Sequence, residues 1–135
     1  MIVFQIIHVT RNPRDCMVSL FNHIRVINGY SGSFDLYADA FLNDECLYWT
    51  PFMHNVRSYW DKREEPNIMF ITYEEMKRDL PKVIRNVSLF LGKPVADKDI
   101  PALAEFLSFG NMSKNLSLNN QQMVNVSIAI LDPFA

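Results

Sequence analysis

A chain of 135 residues is room for one ordinary domain. With 49% hydrophobic and 21% charged residues it lies close to the globular average, which excludes a disordered, collagen-like or low-complexity protein. Thirteen Lys and Arg against fifteen Asp and Glu give a formal charge of -2, so no basic field for nucleic-acid binding exists, and no apolar run approaches the ~20 residues of a membrane-spanning helix.

Residues 1–10 read as the first strand. Val3, Phe4, Ile6, Ile7 and Val9 form a nearly continuous β-rich run, the pattern of a strand in a sheet covered on both faces. Asn12 suits a helix N-cap, Pro13 the first helical position, and Asp15 the third, where a carboxylate faces orphan amides. Met17, Leu20, Phe21, Ile24 and Ile27 then mark one face of a helix ending near Gly29. Ser33 caps a shorter helix carrying Phe34, Tyr37 and Phe41. A further helix, starting at Thr50-Pro51 or already near Leu47, places Phe52, Val56, Tyr59 and Trp60 on one face and is closed by Pro66.

Asn67–Thr72 is the second strand. Asp79 and Pro81 open the next helix, whose apolar stripe is Val83, Ile84, Val87, Phe90 and Leu91, and Gly92-Lys-Pro94 stops it. A helix over 98–107 and a short one over 109–115 follow. The tail 123–135 is apolar and strand-like, with no pattern that docks it. Two strands cannot make up a sheet of ordinary size, ~5–6 strands, so the sequence reads as part of an α/β domain, with the Ile and Val side chains of the first strand poorly covered.

The apolar opening lacks a basic flank and is followed by Arg11-Asn-Pro-Arg-Asp15, so it does not read as a secretory signal. Cys16 and Cys46 have no metal-like spacing and read as small buried hydrophobes. Asn-x-Ser matches at Asn86, Asn111, Asn115 and Asn125 are then chance occurrences, and a reducing, cytoplasmic compartment is expected.

Two positions stand out for chemistry. Arg11 ends the first strand just ahead of a helix N-terminus, and in open α/β sheets ligands bind beyond the carboxyl ends of strands. Free amides and a planar guanidinium both suit an anion there, and Ser19, two turns on, can reach the same anion if the helix runs alongside it. The spacing is equally compatible with Arg11 pairing with Asp15 or Glu74 and Ser19 being a small helical residue. Tyr73 ends the second strand and shares a rim with Arg11 if the strands are parallel; otherwise it is a boundary tyrosine. His8, His23 and His54 have no second ligand or acid at useful spacing. Trp49, Trp60 and the other aromatics read as core. With four glycines there is no phosphate-cradling loop.

At Arg11-Asn-Pro-Arg-Asp-Cys-Met-Val-Ser19 the sequence resembles the cytosolic sulfotransferase family. Gly32-Ser-Phe-Asp35, the stretch from Trp49 to Trp60 with His54 and Val56 inside it, Phe70-Ile-Thr-Tyr-Glu-Glu-Met-Lys-Arg-Asp79, Phe90-Leu-Gly-Lys-Pro94 and Ser108-Phe-Gly-Asn-Met-Ser-Lys-Asn115 follow in the family's order over residues 2–115. The resemblance implies a partial P-loop-like (nucleotide-kinase-like) three-layer α/β sulfotransferase fold, with few parallel strands and several helices. Residues 1–115 would form the partial sulfotransferase domain and 116–135 a tail outside it.

The family's activity is transfer of a sulfuryl group from 3′-phosphoadenosine 5′-phosphosulfate (PAPS) to a hydroxyl or amine of a small acceptor. By resemblance Arg11 and Ser19 bind the 3′-phosphate, Tyr73 contacts the nucleotide near its adenine, and Ser108, Phe109 and Met112 form the adenine pocket. Leu107 stands where the family usually has Thr, which removes a hydroxyl donor. The family's lysine-bearing P-loop-like segment, its catalytic histidine and its C-terminal Arg-Lys-Gly loop are not among these residues. No catalytic residue is therefore assigned, and the chain alone is expected to be an inactive fragment. Two other readings remain. One is a non-catalytic module that holds 3′-phosphoadenosine 5′-phosphate (PAP), or pairs through exposed strand edges with a full-length relative. The other is a generic phosphate-binding domain.

Overall fold

The structure, a computed structural model, describes residues 4–45, 51–115 and 117–118. In chain order its elements are β1 (Ile6–Thr10), α1 (Pro13–Asn28), α2 (Phe34–Leu42), α3 (Phe52–Trp60), β2 (Ile68–Thr72), α4 (Tyr73–Arg78), α5 (Leu80–Phe90), α6 (Ile100–Phe106) and α7 (Phe109–Met112). The chain divides into two compact units, Met1–Asn12 with Phe52–Ser108, and Pro13–Pro51 with Phe109–Ala135. Cys46, Trp49, the alternative helix start at Leu47 and the strand-like tail lie outside the described residues.

The first unit is built on β1 and β2, which pair in parallel with Ile6 opposite Ile68 and Thr10 opposite Thr72. Ile6 N–H donates to the Asn67 carbonyl at 2.8 Å, and the Asn67 side chain donates to the Phe4 carbonyl at 3.2 Å, so the register is fixed where the strands enter. Gln5 ties the same end to α5 by donating to the Phe90 carbonyl at 2.5 Å. The run-like composition of β1 suggested cover on both faces. Instead Ile7 and Val9 are 37% and 50% exposed, while Ile6, His8 and Thr10 on the opposite face are half-buried. Among the described residues β1 has a strand on one side only, and the face carrying Ile7 and Val9 is poorly covered.

β2 is the better buried strand, with Ile68 and Ile71 in the core. Both of its ends are satisfied locally: Ile68 N–H donates to the Glu65 carbonyl at 3.0 Å and Thr72 N–H to Glu75 Oε2 at 2.8 Å. Donors consumed in this way do not template another strand. Helix α3 carries the expected face, but it stops at Trp60 and not at Pro66. Beyond the stop the chain continues in turns, and the Arg63 guanidinium donates to the Trp60 carbonyl at 2.7 Å and lies 4.2 Å over the Trp60 ring. Trp60 is 49% exposed and meets Phe70 with the rings near perpendicular, centroids 5.3 Å apart. The reading of Trp60 as core is corrected to that extent.

Helix α4 is an addition to the sequence reading. Thr72 caps it in a capping box: Thr72 Oγ1 accepts from the Glu75 amide at 3.1 Å while Glu75 Oε2 accepts from the Thr72 amide. Asp79 then caps α5 as expected, accepting from the Lys82 amide at 3.0 Å, with Pro81 in the first turn. Ile84 of α5 and Ile100 of α6 join Ile68 and Ile71 as the buried apolar residues of this unit. Each contributes roughly 1.5–3 kcal/mol by burial. Gly92, at φ +66, follows α5 in the left-handed conformation a glycine accepts at little cost.

The second unit contains α1, α2 and α7. Helix α1 buries Ile24 and half-buries Met17, Leu20, Phe21 and Ile27, the face expected from the 3.6-residue period. It ends in Gly29 at φ 67, and the Tyr30 amide returns to the Ile24 carbonyl at 3.2 Å. Cys16 on α1 is half-buried. Ser33 caps α2 by accepting from the Leu36 amide at 3.3 Å. Tyr37 and Phe41 are the buried residues of α2, and Phe21 of α1 meets Phe34 edge to face at 5.0 Å and Tyr37 at 5.5 Å.

Candidate functional site

The parallel register decides what shares a rim. Thr10 and Thr72 are partners, so Arg11 and Tyr73, one residue further on, emerge side by side at the carboxyl ends of the two strands. The Arg11 guanidinium carbon lies 4.6 Å from the centre of the Tyr73 ring, a cation–π contact. Both side chains are half-buried, and the Tyr73 backbone is fixed from behind because the residue opens α4 directly after the Thr72 cap.

Glu74 belongs to the same rim. Its Oε1 accepts from the Asn12 amide at 2.9 Å, joining the residue after Arg11 to the residue after Tyr73. That bond, then its own amide, and to a lesser degree the Arg11 charge hold the Glu74 carboxyl below the usual carboxylate range, so it is ionised at neutral pH. The Asn12 amide is thereby engaged by Glu74. The rim that parallel strands would give Arg11 and Tyr73 is present, and the Arg11 charge acts on the Glu74 carboxyl.

The remaining expected residues are placed as follows. Ser108 closes the turn after α6 in the first unit, its amide donating to the Glu105 carbonyl at 3.1 Å, and it is half-buried. Leu107 is the α6 C-cap. Ser19 is exposed on α1, and Phe109 and Met112 on α7 are 72% and 38% exposed; all three belong to the second unit. The structure thus brings Arg11 and Tyr73 together and adds Glu74, whose signal was the acidic pair following the tyrosine.

Two grooves of the first unit lie on other residues. One of about 590 Å³ runs along β2 between Trp60, Arg63, Phe70 and Arg78, and one of about 380 Å³ lies between α4 and α5 at Arg78, Asp79, Lys82 and Asn86. Among the described residues no cluster of His, Cys, Asp or Glu could hold a metal ion, and no helix is long and apolar enough to cross a membrane.

A parallel α/β pair with a guanidinium and a tyrosine at its carboxyl rim has the form of α/β proteins whose ligands bind beyond the strand ends. Residues 3–129 match the family model for the sulfotransferase domain, and the chain belongs to that family. The matched span runs on past Asn115, into the stretch set apart above as a tail. Luciferin sulfotransferase of Photinus pyralis is 38% identical over 120 residues, covering 89% of this chain and 32% of that protein. Human sulfotransferase 1C2 is 31% identical over 128 residues, covering 93% and 42%. The chain therefore spans 32% to 42% of the length of these relatives.

Solved structures agree on the fold. Retinol dehydratase in complex with retinol and PAP superposes with a TM-score of 0.82 at 28% identity, covering 90% of this chain and 37% of that one. Mouse sulfotransferase SULT7A1 complexed with PAP gives 0.74 at 32% identity, covering 83% and 41%. The architecture is that of part of an α/β sulfotransferase fold.

Proposed function

We propose that this chain carries part of the nucleotide site of a sulfotransferase, and that the whole protein transfers a sulfuryl group from PAPS to a hydroxyl or amine of a small acceptor. The observation that carries this reading is the contact of Arg11 with Tyr73 at the strand rim, 4.6 Å from guanidinium carbon to ring centre, in a chain of this family.

The donor chemistry of the rim fits a phosphorylated nucleoside. Arg11 offers a planar fork to a phosphate, and stacking on Tyr73 restricts its rotamers, so less side-chain entropy is lost on binding. The Tyr73 phenol adds a hydroxyl donor beside it. Ser19 is proposed as a second 3′-phosphate ligand, and Ser108, Phe109 and Met112 as the adenine pocket. PAPS when bound supplies the activated sulfuryl group, whose transfer cleaves the bond from sulfur to the phosphate oxygen. These residues bind and orient the nucleotide; they move no proton. The lysine-bearing loop and general base expected from the family are not among the 135 residues, so the polypeptide of this sequence binds without turning over. A small-molecule acceptor is supported by the retinol and androsterone complexes of retinol dehydratase, and a cytoplasmic location by the sequence reading above.

Calorimetric titration of the 135-residue chain with PAP tests the proposal. Saturable binding that weakens at least tenfold in Arg11→Ala is expected. Equal affinity in the two proteins, or no heat from a well-folded sample, would overturn it.

A further inference from the structure

His8 has no part in the proposed nucleotide site, yet its surroundings are unusual for a titratable group. It sits at the middle of β1, directly opposite Phe70 of β2. Its imidazole stacks on Tyr59 of α3 with centroids 4.3 Å apart and planes 15° from parallel, and tilts against Phe70 at 5.1 Å and 32°. Nε2 is fully buried and has no hydrogen-bond partner among the described residues. Together with the Trp60–Phe70 contact, the ring joins α3 to the strand pair, and one of its nitrogens is out of water with no partner among the described residues.

We propose that the Tyr59–His8–Phe70 stack is a pH-sensitive clasp: it holds α3 on the sheet while the imidazole is neutral and loosens when the ring is protonated. The geometry gives the reason. A neutral imidazole can leave its lone pair on the buried Nε2, whereas an imidazolium must carry N–H on both nitrogens. The His8 and Tyr59 planes are nearly parallel, so the added N–H points along the plane of that stack and away from the Tyr59 face, and at the buried Nε2 it finds no acceptor among the described residues.

Among the described residues of β1, α3 and β2 there is no carboxylate to compensate the charge. β2 is uncharged throughout, Ile68–Thr72. On α3 the titratable neighbours besides Tyr59 are His54 and Arg57, both exposed, with Arg57 paired to Asp61 at 3.9 Å. On β1 itself His8 is the single ionisable residue, and Arg11 beyond it is a cation. Burial alone lowers the His8 pKa from 6.5. The sign follows. Below 6.5 the unfolded chain binds a proton that the folded chain resists, so stability is full above that value and falls as the pH drops towards the folded pKa. The opposing force is cation–π attraction between an imidazolium and the Tyr59 face.

This inference is independent of the nucleotide site. Its test is a proton NMR titration of the His8 ring in the 135-residue chain, assigned against His8→Phe, with amide exchange of α3 followed from pH 8 to pH 5. A His8 midpoint below 6.5, with α3 amides exchanging faster as the ring charges, is expected. In His8→Phe, which keeps an aromatic ring in the stack, that acid-dependent acceleration should vanish. A midpoint at or above 6.5 would mean that cation–π attraction wins, and would overturn the clasp. So would α3 exchange in the unmodified chain that ignores the His8 titration, a readout available even if His8→Phe does not fold.

Discussion

Removing the Thr72 hydroxyl examines the joint on which Tyr73 depends. In Thr72→Ala two bonds are lost together: the one Thr72 Oγ1 accepts from the Glu75 amide at 3.1 Å and the one its hydroxyl donates to Glu75 Oε2 at 2.9 Å. The bond from the Thr72 amide to the same carboxylate survives, because it needs only backbone. Loss of a threonine cap costs about 1 kcal/mol, within a range of roughly 0.5–2 kcal/mol. With a urea slope of ~2 kcal/mol/M the unfolding midpoint should fall by about 0.5 M. Thr72→Ser, which keeps the oxygen, should stay close to the unmodified protein.

The same variant has a pH signature. Glu75 is held below its ordinary value of 4.5, chiefly by the Thr72 amide and then by the Thr72 hydroxyl. A carboxylate depressed in the folded state stabilises above its unfolded pKa, and that contribution is lost as the pH falls through the folded value. Urea unfolding at pH 7 and again below pH 4 should therefore show the gap between Thr72→Ala and the unmodified chain narrowing in acid. A Thr72→Ala midpoint equal to that of Thr72→Ser, or a gap that widens in acid, would refute the assignment of the box.

Two further expectations concern the core. Ile71, 4% exposed next to the last residue of β2, should cost about 2–5 kcal/mol on conversion to alanine, read as a lowered denaturant midpoint; a loss no larger than that of Val9→Ala, at a position 50% exposed, would contradict the placement of the core. At Gly32 a Cβ would collide with the phenol of Tyr30, so Gly32→Ala should destabilise by roughly 1–3 kcal/mol through overpacking, and Tyr30→Phe should recover part of that loss. A thermal-unfolding double-mutant cycle checks it, additive effects being the contrary result.

Local chemistry made much of the fold legible. Ser33, Asp79, Gly29 and Gly92 each perform the start or stop that their residue type suggests, because caps are short-range and depend on one or two amides. Thr72-x-x-Glu75 carried the same kind of signal for α4. It was eclipsed by the β-rich run before it, since a helix opening with no linker after a strand leaves no punctuation to read. Trp60 illustrates another limit: its side chain follows the helical stripe, yet the ring is 49% exposed and covered on one face by Arg63, three residues on.

The rim was legible only conditionally. Arg11 and Tyr73 could be named from strand ends, but their adjacency depends on strand direction, which no residue within either strand encodes. Glu74 engages the Asn12 amide across a separation of 62 residues, a pairing that sequence spacing cannot anticipate. The exposed Ile7 and Val9 show the same dependence: a strand's composition tells what cover it suits, and the elements packed on its faces determine what cover it has.

The most direct measurement is a two-dimensional NMR titration of the 135-residue chain with PAP and, in parallel, with adenosine 5′-phosphate, following the Arg11 guanidinium and the Tyr73 ring. If the rim reads the 3′-phosphate, both signals move together and saturate with PAP, and Arg11 stays still with the nucleotide that lacks that phosphate. Arg11 responding alike to both nucleotides, or the two side chains responding at different concentrations, would contradict a shared site at the ends of β1 and β2.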